Sequence, residues 1–408
     1  MCRKYHSATN LFVIYSLSAS TMCTTFSKST WYQIVFIGLA ILFAIHSKKL
    51  KLDKFVVGSV AVYTVMCVIY FFDFNYLKPA SIKFLFYLLS IYFMLKITGV
   101  EFFIVYEKII YRLAVISLIF YFFQMFFWDD LVKVLQPFNI ADKSIRTYQG
   151  IHVGIFTLIP WHFYRNCGFM WEPGAFGAML SLAMIWNVIL NKNKINKKLI
   201  IFIITGITTV STTTIINIML ITLSLVLKAN FKHKLWAIPL LIIVGIQVYF
   251  QPVIKDKLNY YYTVNMQDYY KTYSSDYWKA GTSIGRFAGL VIEFENFKKK
   301  PLLGWGYQSD YMDQGMFDDF SNPNGLSVLL GRFGLVGMLF FLGSLYLGLK
   351  KLQKYQHYKG EWVFFIIVIF ISSSNPMIYN IFIWSMVLLY YVLIYSPDIK
   401  DQLMDYLN

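Results

Sequence analysis

The chain has 408 residues, of which 58% are hydrophobic and only 14% charged. Soluble globular proteins run at about 45–50% apolar and about 25% charged, so the composition excludes an ordinary soluble domain and predicts an integral membrane protein. The net charge of +16 sits mostly in short lysine-rich connectors between apolar runs, a distribution that orients membrane helices and speaks against a nucleic-acid partner.

A membrane span needs roughly 17–25 mainly apolar residues. Apolar runs between polar breaks predict an all-α, polytopic transmembrane bundle of about 12 spans, over 11–26, 31–46, 55–72, 81–98, 109–127, 173–190, 199–212, 213–228, 235–250, 326–349, 361–375 and 377–395. The whole chain, 1–408, reads as one integral membrane domain. The first run imitates a signal peptide, but its Ser/Thr content and the spans behind it favour a first membrane helix. The pair 199–228 is split because Ser211-Thr-Thr-Thr214 reads as a tight polar turn. Aromatics make up 19% of the chain, which suits rings placed at both membrane interfaces. The cysteines Cys2, Cys23, Cys67 and Cys167 show no CxxC spacing and read as small core residues.

With both termini inside, the inner connectors carry 21 Lys/Arg against 7 Asp/Glu, and the outer ones 16 against 14. The clusters Lys48-Lys49-Lys51-Lys54, Lys192-Lys194-Lys197-Lys198, Lys228-Lys232-Lys234 and Lys350-Lys351-Lys354-Lys359 then share the inner face. Two long connectors fall outside, 128–172 and 251–324, and long loops in compact proteins are usually functional. The second is rich in tyrosine (Tyr260–Tyr262, Tyr269, Tyr270); such rings stack on sugars or anchor in the headgroup layer.

The first outer loop ends in Arg165-Asn-Cys-Gly-Phe-Met-Trp-Glu172-Pro-Gly174. Proline after Glu172 suits a helix start, which turns its free N–H groups toward an anion. Arg165 suits phosphate recognition, and an Arg165–Glu172 pair that merely orients the loop is the competing reading. In the second loop, Arg286 to Lys300 has helical spacing, Pro301 ends that helix, and Gly304 and Gly306 flank Trp305 in a tight turn. Tyr307, Asp310 and Asn324 follow as further substrate-facing candidates. Arg332 stands at the outer edge of the tenth span, where it either binds substrate or snorkels to headgroups. The six histidines show no HxxxH or HxxE spacing and there is no GxxxxGK[ST] loop. No metal or cofactor is therefore expected, nor energy coupling by nucleotide hydrolysis. A cationic outer pocket fits a lipid-linked diphosphate that carries its own leaving group.

The run RNCGFMWEPGAFG resembles the R-x-x-G-x-x-x-E-P-G motif of Wzy-type O-antigen and capsule polymerases. GRFAGLVIEFENFKKKPLLGWG, followed by NPNGLSVLLGRFGLVG, is similar to the second block of the wider O-antigen ligase/polymerase superfamily. The two motifs cover some 60 residues, and helix count and loop placement extend the likeness. The resemblance implies a GT-C-like, metal-independent inverting glycosyltransferase in the bacterial inner membrane, with its active site facing the periplasm. It would join undecaprenyl-diphosphate-linked oligosaccharides into O-antigen, capsule or exopolysaccharide, with a flippase and a chain-length regulator as partners. Arg165 and Arg286 would bind and stabilise the diphosphates. Glu172 would orient that pocket or act as base, with Asp310, Asp313, Asp318 and Asp319 as other bases. The ligase branch carries a histidine just ahead of the asparagine, where this chain has Asn322-Pro323-Asn324, which favours polymerase over ligase. A lipid-oligosaccharide flippase or other transporter is the non-enzyme alternative.

Overall fold

A computed structural model describes residues 6–29, 31–228, 259, 286–307, 324–356, 360–374, 380–397 and 399. The expected span 235–250, most of the loop 251–324 with its tyrosine clusters, and Asp310, Asp313, Asp318 and Asp319 lie outside the described residues.

The described chain is mostly helical. Its main helices are α1 (His6–Ser20), α2 (Trp31–His46), α3 (Lys54–Phe74), α4 (Pro79–Thr98), α5 (Glu101–Phe126), α6 (Trp128–Leu135), α7 (Pro173–Leu190), α8 (Lys197–Thr208), α9 (Thr212–Lys228), α10 (Arg286–Lys299), α11 (Gly325–Gln356), α12 (Glu361–Ser374) and α13 (Ile381–Tyr395). Five of them, α3, α4, α5, α7 and α11, are long and apolar enough to cross a membrane; α2, α9, α12 and α13 are apolar but shorter. Local chemistry sets the ends. Asp53 accepts the Phe55 and Val56 amides at the start of α3, Asn196 accepts Leu199 N–H at α8, and proline opens both α4 and α7.

The centre of the bundle is α7, buried along nearly its whole length. Its Trp186 stacks on Phe103 of α5 with ring centroids 3.9 Å apart, and Tyr106 Oη donates to Met179 O at 2.7 Å. On another side, Gly177 lets Thr214 of α9 approach so closely that a Cβ would lie 1.7 Å from its Oγ1. One turn on, Asn217 Nδ2 donates to Ser181 Oγ at 3.1 Å. Small residues at such a crossing bring helix backbones together.

At one end of the bundle, Glu107 ties three helices, accepting from Asn187 Nδ2 and from Lys198 Nζ, each at 2.7 Å. Asp53 likewise accepts from Tyr92 Oη at 2.6 Å and Lys96 Nζ at 2.9 Å. These pairs, and the connectors around Lys48 and Lys192, define a basic end.

The break expected at Ser211–Thr214 falls slightly earlier, at 209–211. Thr209 Oγ1 bonds back to Gly206 O at 2.7 Å and accepts Ser211 N–H at 3.3 Å, closing the turn and leaving Thr212 free to start α9. Gly206 then faces Ile218, so α8 and α9 form a hairpin. At 12 residues, α8 is only about 18 Å long.

The first long connector, 128–172, is a small folded unit. Strands β1 (Ile151–His152) and β2 (Thr157–Leu158) pair antiparallel, the only strand among the described residues. They close with α6 over Leu131, Leu135, Ile151, Phe156 and Leu158, and Phe156 stacks on Phe120 of α5 at 5.0 Å.

His152 is buried here against Thr157 Oγ1, 2.9 Å from Nδ1. Burial pushes its imidazole down to about 4, below the value near 6.5 of an unfolded histidine. Between those values the unfolded chain binds the extra proton, so stability is full above about 6.5 and falls as pH drops toward 4, by about 3 kcal/mol. A thermal-unfolding series from pH 7 to pH 4 should show this slope in the wild type and lose most of it in His152→Asn; equal slopes would refute it.

Candidate functional site

Opposite the basic end, the loop leading into α7 is pinned from several sides. Asn166 N–H donates to Thr208 O at 2.9 Å, and its side chain reaches Ser117 Oγ and Thr208 Oγ1 at 3.2 and 3.1 Å. Its Oδ1 accepts Gly168 N–H at 2.9 Å. Gly168 has φ +51, and a Cβ there would lie 2.6 Å from the Phe176 ring, so only glycine serves. Trp171 N–H donates to Thr21 O at 3.1 Å.

This frame fixes Arg165 and Glu172. Arg165 Nε donates to Thr209 O at 3.0 Å, which aims the guanidinium from the α8–α9 turn and satisfies a helix-terminal carbonyl. Gln124 Nε2 holds the Arg165 carbonyl at 3.0 Å. Glu172 is the N-cap of α7, half-buried, and its carboxylate does not cap its own helix. Burial pushes that carboxyl above its ordinary value, while Arg286 and, less strongly, Arg165 pull it back down. Both arginines therefore act on one carboxylate, although 121 positions separate them in the chain. Burial also raises the neighbouring Cys167 thiol well above its usual range, which keeps it protonated and unreactive.

Arg286 opens α10, which runs to Lys299. The turn after it is built into a broken helix. Inside α11, Gly334 takes φ 59 and ψ −156, and the segment 301–306 lies against the break. Trp305 and Gly306 N–H donate to Gly331 O and Arg332 O at 3.1 and 2.7 Å, and Leu335 and Val336 N–H donate to Pro301 O and Leu302 O at 2.9 and 3.1 Å. The α11 groups freed by the break are thus paired with the turn. From α3, Tyr70 Oη donates to Leu303 O at 2.5 Å, and Asp73 binds Lys300 Nζ at 2.6 Å. Lys300 also lies over the rings of Phe74 and Trp305.

Beside this turn is a cavity of about 330 Å³ whose walls include Tyr32, Lys83, Trp171, Tyr307 and Arg332. The Arg332 guanidinium stacks 4.7 Å above the Tyr307 ring. Trp171, one wall of the cavity, directly precedes Glu172 in the chain. Lys28 stands at its rim, bound to Asp142 at 3.2 Å.

Of the residues singled out from sequence, Arg165, Glu172 and Arg286 come together electrostatically, and Tyr307 and Arg332 share the cavity beside the turn. Two others have structural work. Asn324 caps α11, its Oδ1 accepting Ser327 N–H at 3.1 Å. Trp305 Nε1 donates to Asn296 O at 3.0 Å, and its ring does not line the cavity. Asp310 is outside the described residues. Sequence reasoning missed Lys83 and Trp171. Lys83 is a half-buried cation within the apolar helix α4, and a charge inside a membrane segment is itself a signal of function.

Fold and site together define a helical protein with, among the described residues, five helices long and apolar enough to cross a membrane and a cationic, aromatic-walled cavity at one end. No protein-family model matches the chain, and no curated protein matches it.

Proposed function

We propose that the chain is a polysaccharide repeat-unit polymerase: a multi-pass enzyme of the bacterial inner membrane, with about twelve spans, acting at the outer face on undecaprenyl-diphosphate-linked oligosaccharides. The observation that supports this best is the single carboxylate, Glu172, acted on by both Arg165 and Arg286, one from each of the two motifs that resemble the polymerase family. An acceptor hydroxyl attacks the anomeric carbon of the donor glycan. The bond to the diphosphate breaks, undecaprenyl diphosphate leaves with the electron pair, and the hydroxyl proton passes to the departing diphosphate. Charge grows on the diphosphate oxygens, where fixed guanidinium groups stabilise it most. Arg332 and Lys83 supply further positive charge, and Tyr307 and Trp171 offer ring faces to sugars. Glu172 holds the two arginines in register while ionised. A flippase and a chain-length regulator are the expected partners.

Deleting the gene tests the reading: surface glycan should collapse to a single repeat unit on its acceptor, and an unchanged long-chain ladder would refute it. Full-length polymer stranded on the carrier lipid would mark a ligase instead. Activity should also fall on acidification, beginning above the ordinary carboxylate range because burial raises Glu172. In Glu172→Gln the pH–rate profile should lose that acid limb and show a lower plateau; a persisting limb assigns it to another group.

A further inference from the structure

A second cavity of about 330 Å³ lies between α3, α4, α11 and α13, and it is a groove with almost entirely apolar walls. Gly58, Met66, Leu88, Phe333, Phe340 and Tyr391 line it. Along α13 its wall runs from Trp384 to Tyr395, eleven residues or about 16 Å. Phe84 closes one end and also borders the cationic cavity described above.

The other end opens at Lys54 and Tyr395, on the basic end of the bundle. Lys54 is exposed and makes no ion pair among the described residues, because the adjacent Asp53 is committed to Tyr92 and Lys96. Lys48, Lys49 and Lys51 stand just before it. A sparsely polar groove offers water few partners and suits a hydrocarbon chain. The cationic mouth requires an anionic head. Basic recesses between membrane helices at the positively charged face are the usual seat of anionic lipid headgroups.

We infer that this groove binds an anionic phospholipid of the leaflet at the basic end, with one acyl chain along α3 and its phosphate at Lys54. The inference needs only a bilayer around these helices and stands apart from the polymerase reading. The lipid backs α3, whose far end carries Tyr70 and Asp73, the two side chains that hold the turn at 301–306. Occupancy thus supports the site from behind.

Gly58 provides the test, because a Cβ there meets nothing within 4 Å. Gly58→Leu fills the groove and replaces an exposed helical glycine by a better helix former, so folding is retained. The full-length protein, purified and delipidated, is offered phosphatidylglycerol, phosphatidylethanolamine or undecaprenyl phosphate, and bound lipid is counted by native mass spectrometry. Wild type should bind one phosphatidylglycerol in preference to phosphatidylethanolamine. Gly58→Leu should weaken that binding roughly tenfold or more, and Lys54→Gln should cut the preference roughly fivefold. Undiminished phosphatidylglycerol binding in Gly58→Leu overturns the groove. An unchanged preference in Lys54→Gln overturns the headgroup site. Gly58-dependent binding of undecaprenyl phosphate alone overturns the lipid class.

Discussion

Arg286→Ala should slow polymerisation by roughly 100-fold to 1,000-fold, the usual effect of removing one fixed donor from developing negative charge, while leaving the thermal unfolding midpoint almost unchanged. Arg286 stands at the first position of α10, half-buried, and acts on Glu172 from there. Arg286→Lys should rescue little, because an ammonium is a point charge without the planar fork that grips two phosphate oxygens. Arg165→Ala should be slow as well, but with a second signature. Its Nε supports Thr209 O at the α8–α9 turn, so losing it should also cost about 1–3 kcal/mol of stability. The comparison is made on purified proteins with the native repeat unit on its lipid carrier, reading polymer length against time. Intact polymerisation in both variants would remove the proposed diphosphate role and, with it, the physical basis of the polymerase reading.

What the sequence makes legible follows from which forces are local. The helix start at Pro173, the end of α10 before Pro301, and the glycine turn around Trp305 are all readable, because proline and glycine restrict the backbone where they stand. Apolar runs likewise located the long helices α3, α4, α5, α7 and α11. Two things are not legible, and each is a long-range contact. The hairpin at 151–158 exists because Phe156 packs on Phe120 and Leu131 (a separate small core), and two-residue strands carry no periodicity. The separation of roles within PLLGWG and GRFG, where Trp305 braces the turn while Tyr307 and Arg332 line the cavity, depends on a helix break that no spacing rule announces. That Arg165 and Arg286 both act on Glu172 has no basis in residue spacing, because 121 positions separate them; the resemblance to polymerases implies only that both arginines serve the diphosphates.

The same helix break predicts the largest loss of stability from a single methyl group. Gly334 sits at φ 59 and ψ −156, a region essentially reserved for glycine. A Cβ there would lie 2.4 Å from Leu302 O, a backbone atom held by Val336 N–H. Neither partner can yield without unpairing the turn from α11. Gly334→Ala should therefore cost about 3 kcal/mol or more, from backbone strain and lost hydrogen bonds together. Gly304→Ala should behave alike, since its Cβ would approach the Arg332 carbonyl to 2.6 Å at φ +66. The internal control is Gly343, in the same helix, where a Cβ meets nothing within 4 Å; Gly343→Ala should be neutral or stabilising by about 0.5–1 kcal/mol. Unfolding midpoints of the three purified variants decide the matter, and coincident midpoints for Gly334→Ala and Gly343→Ala would refute the break. Activity should separate them further. The break places Arg332 over Tyr307, and Tyr70 and Asp73 only hold the turn from α3, so Gly334→Ala should lose polymerisation even at temperatures where it remains folded, whereas Gly343→Ala should keep it.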